Sequence, residues 1–161
     1  MFKITEDMKR FVREQKLGFV ATVSPDDSPN LSPKGTTTIW DDNHLIFADI
    51  ASPNTVRNLA SNPAVEVNIV DPFVRKGYRF KGKAVVYTKQ DGDKYFDELL
   101  SFYRDKEKLQ EAERRIKSIV LIEIEYADSL ISPAYDFPVS EREVIEKWKK
   151  YYNDLDHRQT S

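Results

Sequence analysis

The feature that most constrains this chain is a series of short stretches in which apolar and polar residues alternate, each closed by turn formers. AVEVNIV, residues 64–70, alternates strictly, as expected of a strand with one buried face. GFVATVS, HLIFADI, YRFKGKAVVY and SIVLIEIEYADSLIS are similarly rich in β-branched and aromatic residues. LSPKGTTTIW, with three consecutive threonines, reads as one further strand. PDDSPN and Asp41-Asp42-Asn43 are turn clusters, so the first three strands are expected to run as consecutive hairpins, the start of a meander. At least six mostly antiparallel strands result, and a small closed or partly open barrel is the economical way to hide their edges. The Gly inside YRFKGKAVVY predicts a bulge or tight bend.

Helices flank and interrupt the strands. Thr5 offers an N-cap hydroxyl to EDMKRFVREQK, with Met8, Phe11 and Val12 on one face and a stop at Leu17-Gly18. Ser52 and Pro53 open a short helix that closes at Asn62-Pro63. From Gly92 to Lys117 the apolar spacing is helical, with a break expected near Asp105. Its stripe Tyr95, Phe96, Leu99, Phe102, Tyr103 reads as core or dimer surface. A final helix over 140–154 carries a capping box, Ser140 with Glu143, and the tail DHRQTS is expected to fray. The length suits a single domain, 1–161, and no repeat or linker divides it.

Composition narrows the chemistry. With no cysteine and two histidines, disulfides, thiolate zinc sites, thiol nucleophiles and a multi-histidine metal cage are excluded, and no metal site is expected. A net charge of -2 gives no overall basic surplus for nucleic acid, so any anion site must be local. No apolar run approaches the ~18 residues of a membrane span, and the charged start lacks the apolar core of a signal peptide. A cytoplasmic protein that binds neither membrane nor nucleic acid is expected. His44 and His157 show no ligand or nucleophile partner, and the paired aspartates sit in turns, so no acid–base role is assigned to them.

The most informative stretch runs from Asn30 to Asn58. A helix start presents unpaired N–H groups and a positive dipole end, so Ser52, Asn54 and Thr55 make a natural phosphate cradle, with Arg57 one turn on. The plainer reading is that Ser52 caps its helix and Arg57 is solvated. Lys34-Gly35, taken as lying within a strand, would let a backbone or a ligand ring approach closely, or would be a plain bulge. VRKGYRFKG, with Arg75, Lys76, Arg79 and Lys81, is either an anion-facing or nucleic-acid-binding edge or a solvated strand face.

The run GFVATVSPDDSPNLSPKGTTTIWDDNHLIFADIASPNTVRNLASNPAVEV, followed by YRFKGKAVVY and the closing SPAYDFPVSEREVIEKW, resembles the flavin-binding split barrels of the pyridoxamine 5'-phosphate oxidase-like family. The resemblance implies a mainly β (α+β) fold, a six-stranded antiparallel split β-barrel with flanking helices, working as a homodimer with FMN at the interface. By position, Ser32, Pro33, Lys34 and Gly35 would lie along the flavin ring, Phe47, Ala48 and Asp49 would flank the ribityl chain, and Ser52, Asn54 and Thr55 would meet the phosphate. Arg57 or Lys34 would supply the phosphate charge, because Asn54 stands where the family commonly has Lys and Ser32 where it has Arg. Arg79 and Tyr135 would reach the ring from the partner chain. Thr37 stands near the position of the substrate-phosphate lysine, and the C-terminal Arg-x-His pattern is missing, so pyridoxamine phosphate oxidation is not expected. The resemblance points to an FMN-dependent oxidoreductase with a small-molecule electron donor or acceptor. The alternatives are a non-catalytic flavin carrier or sensor, and a barrel that binds deazaflavin or haem.

Overall fold

A computed structural model describes residues 2–89, 94–106 and 114–159. Seven strands form one antiparallel sheet: β1 (Gly18–Val23), β2 (Pro29–Lys34), β3 (Thr38–Ile39), β4 (His44–Asp49), β5 (Ala64–Asp71), β6 (Lys76–Thr88) and β7 (Ser118–Ile131). Four helices are described, α1 (Glu6–Gln15), α2 (Pro53–Ser61), α3 (Lys94–Asp105) and α4 (Glu141–Gln159), with a 3₁₀ turn over Pro133–Asp136.

The count differs from six because LSPKGTTTIW is not one strand. β2 ends at Lys34, and the chain turns there: Thr37 donates from both its N–H (3.3 Å) and its hydroxyl (3.0 Å) to the Lys34 carbonyl. The turn also replaces the expected meander, since the strand order is β2-β1-β5-β6-β7-β4-β3. The β1–β2 and β3–β4 hairpins therefore lie at opposite ends of the sheet, and β2 and β3 are its two edges.

That order dictates the curl. Seven strands at about 4.8 Å spacing would put the edges of a flat sheet roughly 29 Å apart. The link from Lys34 to Thr38 cannot span more than about 15 Å. The sheet must roll until its edges approach, giving a half-barrel split between β2 and β3. Gly82 helps the bend: the β6–β7 register shifts between Lys81 and Gly82, and a Cβ at Gly82 would collide with the Glu123 carbonyl.

The barrel interior is filled by Val20, Val67, Ile69, Phe80, Leu45, Phe47, Val120 and Ile122, all fully buried. α1 caps one end, adding Ile4 and Val12 to this core, and its N-cap is the expected one, with Met8 N–H donating to Thr5 Oγ1 at 3.3 Å. Lys9 fastens it to the β3–β4 turn through Asp42 at 2.5 Å, and is held within the helix by Glu6 at 2.7 Å. A second cluster lies on the other face of β4 and β7, where Phe96, Leu99 and Tyr103 of α3 pack on Ile46, Ala48, Ile119 and Leu121. The aromatic stripe of α3 is thus core. α3 ends at Asp105 as expected; Leu109 and Ala112 lie outside the described residues, and Ile116 is in irregular chain before β7 rather than in a helix.

α4 opens with the expected capping box, Ser140 N–H donating to Glu143 Oε2 at 2.8 Å and Glu143 N–H to Ser140 Oγ at 3.2 Å. It continues to Gln159, past the predicted end at 154, since nothing between Leu155 and Gln159 is a glycine or proline that would stop it. Arg75 lies 3.4 Å from the centre of the Trp148 ring, joining α4 to the β5–β6 turn. Among the described residues, no helix is long and apolar enough to cross a membrane.

A candidate anion cradle where the barrel splits

The last residue of β2 and the first turn of α2 meet at the split. Ser32 and Lys34 share one face of β2, as residues two apart in a strand must, and that face is turned inward. The Lys34 ammonium donates to Ser32 Oγ at 2.5 Å and to Ser52 Oγ, bridging the sheet edge to the helix start. Ser52 occupies the N-cap position of α2 without capping it: its hydroxyl makes no bond to the helix backbone. Its own N–H donates to Asp49 Oδ1 at 2.7 Å. Pro53 has no N–H, so Asn54 and Thr55 carry donors that find no acceptor within the helix.

The charge balance singles out Lys34. Among the described residues two lysines are buried, Lys9 and Lys34. Lys9 touches two carboxylates, which hold its pKa above the usual lysine value. Lys34, 5% exposed, touches only hydroxyls. Burial pushes its pKa below the usual value, and the more distant Asp49 carboxylate only partly opposes that. A buried cation whose contacts are neutral, beside open helix-start N–H groups, is the arrangement an anion would complete.

The surrounding shell is fixed from three sides. Thr36 Oγ1 donates to the Ala48 carbonyl at 2.9 Å and accepts from the Ala48 N–H at 3.0 Å, pinning the β2–β3 link to β4. Tyr103 Oη donates to the Thr36 carbonyl at 3.0 Å, so α3 holds the same link from outside. Asn58, buried in α2, donates to Thr22 Oγ1 at 3.1 Å and ties the helix to β1. Gly35 lies in the link, not inside a strand, and no protein atom comes within 4 Å of where a Cβ would stand. Its exposed backbone is open to approach from outside.

The structure brings together Ser32, Lys34, Asp49 and Ser52, with Gly35, Asn54 and Thr55 on adjoining backbone. Phe47 is fully buried in the barrel core and Ala48 belongs to the α3 cluster, so their side chains support the wall from behind. Pro33 is exposed on the opposite face of β2. Arg57 is exposed on α2 and donates to Asn54 Oδ1 at 2.7 Å.

Arg79 and Tyr135 do not join the cradle within one protomer. Arg79 shares the outward row Pro33–Phe19–Asn68–Arg79 across four strands and pairs with Glu66 at 2.9 Å. Tyr135 donates to the Val74 carbonyl at 2.7 Å, with Lys76 Nζ 4.3 Å from its ring centre. Much of the VRKGYRFKG charge is spent locally, on Glu66, Glu141 and the Trp148 ring. His44 does have a partner, Asp41, at 2.8 Å from Nδ1.

These features describe an antiparallel split barrel with a buried lysine where the barrel opens. A family model described as pyridoxamine 5'-phosphate oxidase matches residues 4–130. The chain belongs to that family. Among solved structures it is similar to HupZ of Group A Streptococcus, with 29% identity, 80% of this chain and 95% of that chain covered, and a TM-score of 0.68. A putative pyridoxamine 5'-phosphate oxidase of Lactobacillus delbrueckii is 23% identical over 78% of this chain and 93% of that one, with a TM-score of 0.65. An FMN-binding protein of Syntrophomonas wolfei shares the fold at 14% identity, covering 78% and 85%, with a TM-score of 0.61. No curated protein matches the chain.

Proposed function

We propose that the protein is an FMN-binding flavoprotein and an oxidoreductase, acting between a small-molecule donor and acceptor, with two flavin sites in a homodimer. The observation that carries this is the buried Lys34 ammonium, in contact with the hydroxyls of Ser32 and Ser52 and with no carboxylate. A phosphate placed there gains a charge-assisted bond from Lys34 and N–H donors from the start of α2. Family membership and an FMN-binding structural neighbour support the same ligand.

Lys34, Ser52, Asn54 and Thr55 hold the phosphate in this reading, and Ser32 orients the lysine. The backbone of Pro33, Lys34 and Gly35 borders the ring, with Phe47, Ala48 and Asp49 walling the ribityl chain. Arg57 flanks the phosphate from outside. Arg79 and Tyr135 serve the site of the partner protomer. FMN supplies hydride and single-electron chemistry; the residues here bind, orient and exclude water.

The test is the absorbance spectrum of the stripped protein titrated with FMN, followed by anaerobic addition of reduced nicotinamide nucleotide. Flavin bands that appear and then bleach support both parts of the proposal. Bands that never bleach with any donor leave a carrier or sensor and remove the oxidoreductase part. No FMN binding overturns the reading. A flavin-saturated monomer on a sizing column removes the shared site.

A further inference from the structure

A cleft of about 640 Å³ lies beside Asp49, against Pro53, Val56, Arg57 and Ala60 of α2. Its rim carries four cations from three separate parts of the chain: Arg57 of α2, Lys89 after β6, and Arg114 and Lys117 before β7. On the sheet faces, cations stand opposite acids, as Arg79 does with Glu66, Lys83 with Glu125 and Lys76 with Glu141. Among the described residues, none of the four rim cations has a carboxylate within ion-pair distance; Arg57 makes one bond, to the neutral Asn54 side chain. Among the described residues the one acid on the wall is Asp49, which is 4% exposed and already accepts from Ser52 N–H at 2.7 Å and from Ser118 Oγ at 3.5 Å.

We propose that this cleft is a second anion site, which takes the diphosphate of a nucleotide. Among the described residues four cations face one carboxylate, an excess of positive charge of the sign that a nucleoside diphosphate needs. A concave wall concentrates that field on a bound anion. Between the cations the lining is apolar, with Val56, Ala60 and Ile116 offering a surface for a sugar or base. The volume falls in the range of about 300–1,000 Å³ typical of small-molecule sites. A nicotinamide dinucleotide also carries a diphosphate, there bridging two nucleosides and lacking the terminal charge, so an electron donor of that class presents a related anion to the cleft. The site itself does not rest on the flavin reading, because Lys89, Arg114 and Lys117 stand apart from the Lys34 cradle and only Arg57 flanks both.

The experiment is calorimetric titration of ADP, with adenosine as control, into the full chain with and without saturating FMN. ADP is expected to bind with a Kd below about 1 mM and adenosine to bind about tenfold or more weakly. The variant Arg114→Gln with Lys117→Gln, both exposed positions, is expected to lose ADP affinity about tenfold and to keep FMN affinity. Ala60→Trp fills the cleft without removing charge and is expected to lose ADP as well. ADP that binds no better than adenosine, or that binds both variants as it binds the wild type, overturns the proposal. In flavin-free protein, ADP binding that vanishes in Lys34→Met and persists in Arg114→Gln/Lys117→Gln also overturns it, by placing ADP in the cradle. If FMN does not bind at all, the titrations without FMN still decide the cleft.

Discussion

The barrel core and the cluster beneath α3 share two strands and do different work. Along β4, Leu45 and Phe47 face the barrel while Ile46 and Ala48 face α3; along β7, Val120 and Ile122 face inward and Ile119 and Leu121 face α3. Both strands are buried on both sides, which is why HLIFAD and SIVLI lack the polar alternation of AVEVNIV. The barrel core closes the sheet. The α3 cluster reaches the cradle, because Tyr103 sits in that cluster and donates to the Thr36 carbonyl of the β2–β3 link. Fold and site therefore lean on different cores.

Substitutions can pull these two contributions apart. The largest effect is expected in the barrel: Phe80→Ala should cost about 3–5 kcal/mol and lower the melting temperature of the whole sheet, followed by far-ultraviolet circular dichroism. Leu99→Ala in the α3 cluster should cost about 2–4 kcal/mol, but weaken FMN at temperatures where the sheet signal is intact. If Leu99→Ala lowers sheet melting and FMN affinity in parallel, the two cores are one cooperative unit. Tyr103→Phe keeps the ring and removes only the bond to Thr36, so about 1 kcal/mol is expected, read as weaker FMN binding with little change in melting.

The pH response sharpens the contrast at the site. Burial holds the Lys34 pKa below 10.5, so the unfolded chain binds this proton more tightly than the folded one. Below the lowered pKa the burial penalty is fully present; as pH rises through it towards 10.5 the penalty is relieved and the ligand-free protein gains stability from this residue. FMN binding changes in the opposite sense, because the ammonium that meets the phosphate is lost in the same window. Riboflavin, which lacks the phosphate, should show no such decline. Parallel decline of both ligands would separate Lys34 from phosphate binding.

Strand existence was legible because period-two patterns and turn clusters are local. The break at Gly35–Thr37 was not: Thr36, Thr37 and Thr38 have high strand propensity, and what ends β2 is the Thr37 hydroxyl closing on the Lys34 carbonyl together with the Thr36 and Tyr103 bonds. The opposite placement of the two hairpins depends on barrel closure, which no local window contains. At the site, the helix start of Ser52, Asn54 and Thr55 could be read directly, and Lys34 was one of two candidates for the phosphate charge. That Ser52 leaves its helix uncapped to meet Lys34 depends on a contact between residues 18 apart in sequence. The basic cleft was hidden for the same reason, its four cations being spread from Arg57 to Lys117.

If Lys34 is a buried cation kept for a phosphate, the ratio of FMN to riboflavin affinity must differ between wild type and Lys34→Met. The substitution is expected to lower FMN affinity about 100-fold, to leave riboflavin within about threefold, and not to lower the melting temperature of the ligand-free protein. Equal loss of both ligands, or an FMN preference that survives the substitution, would contradict it.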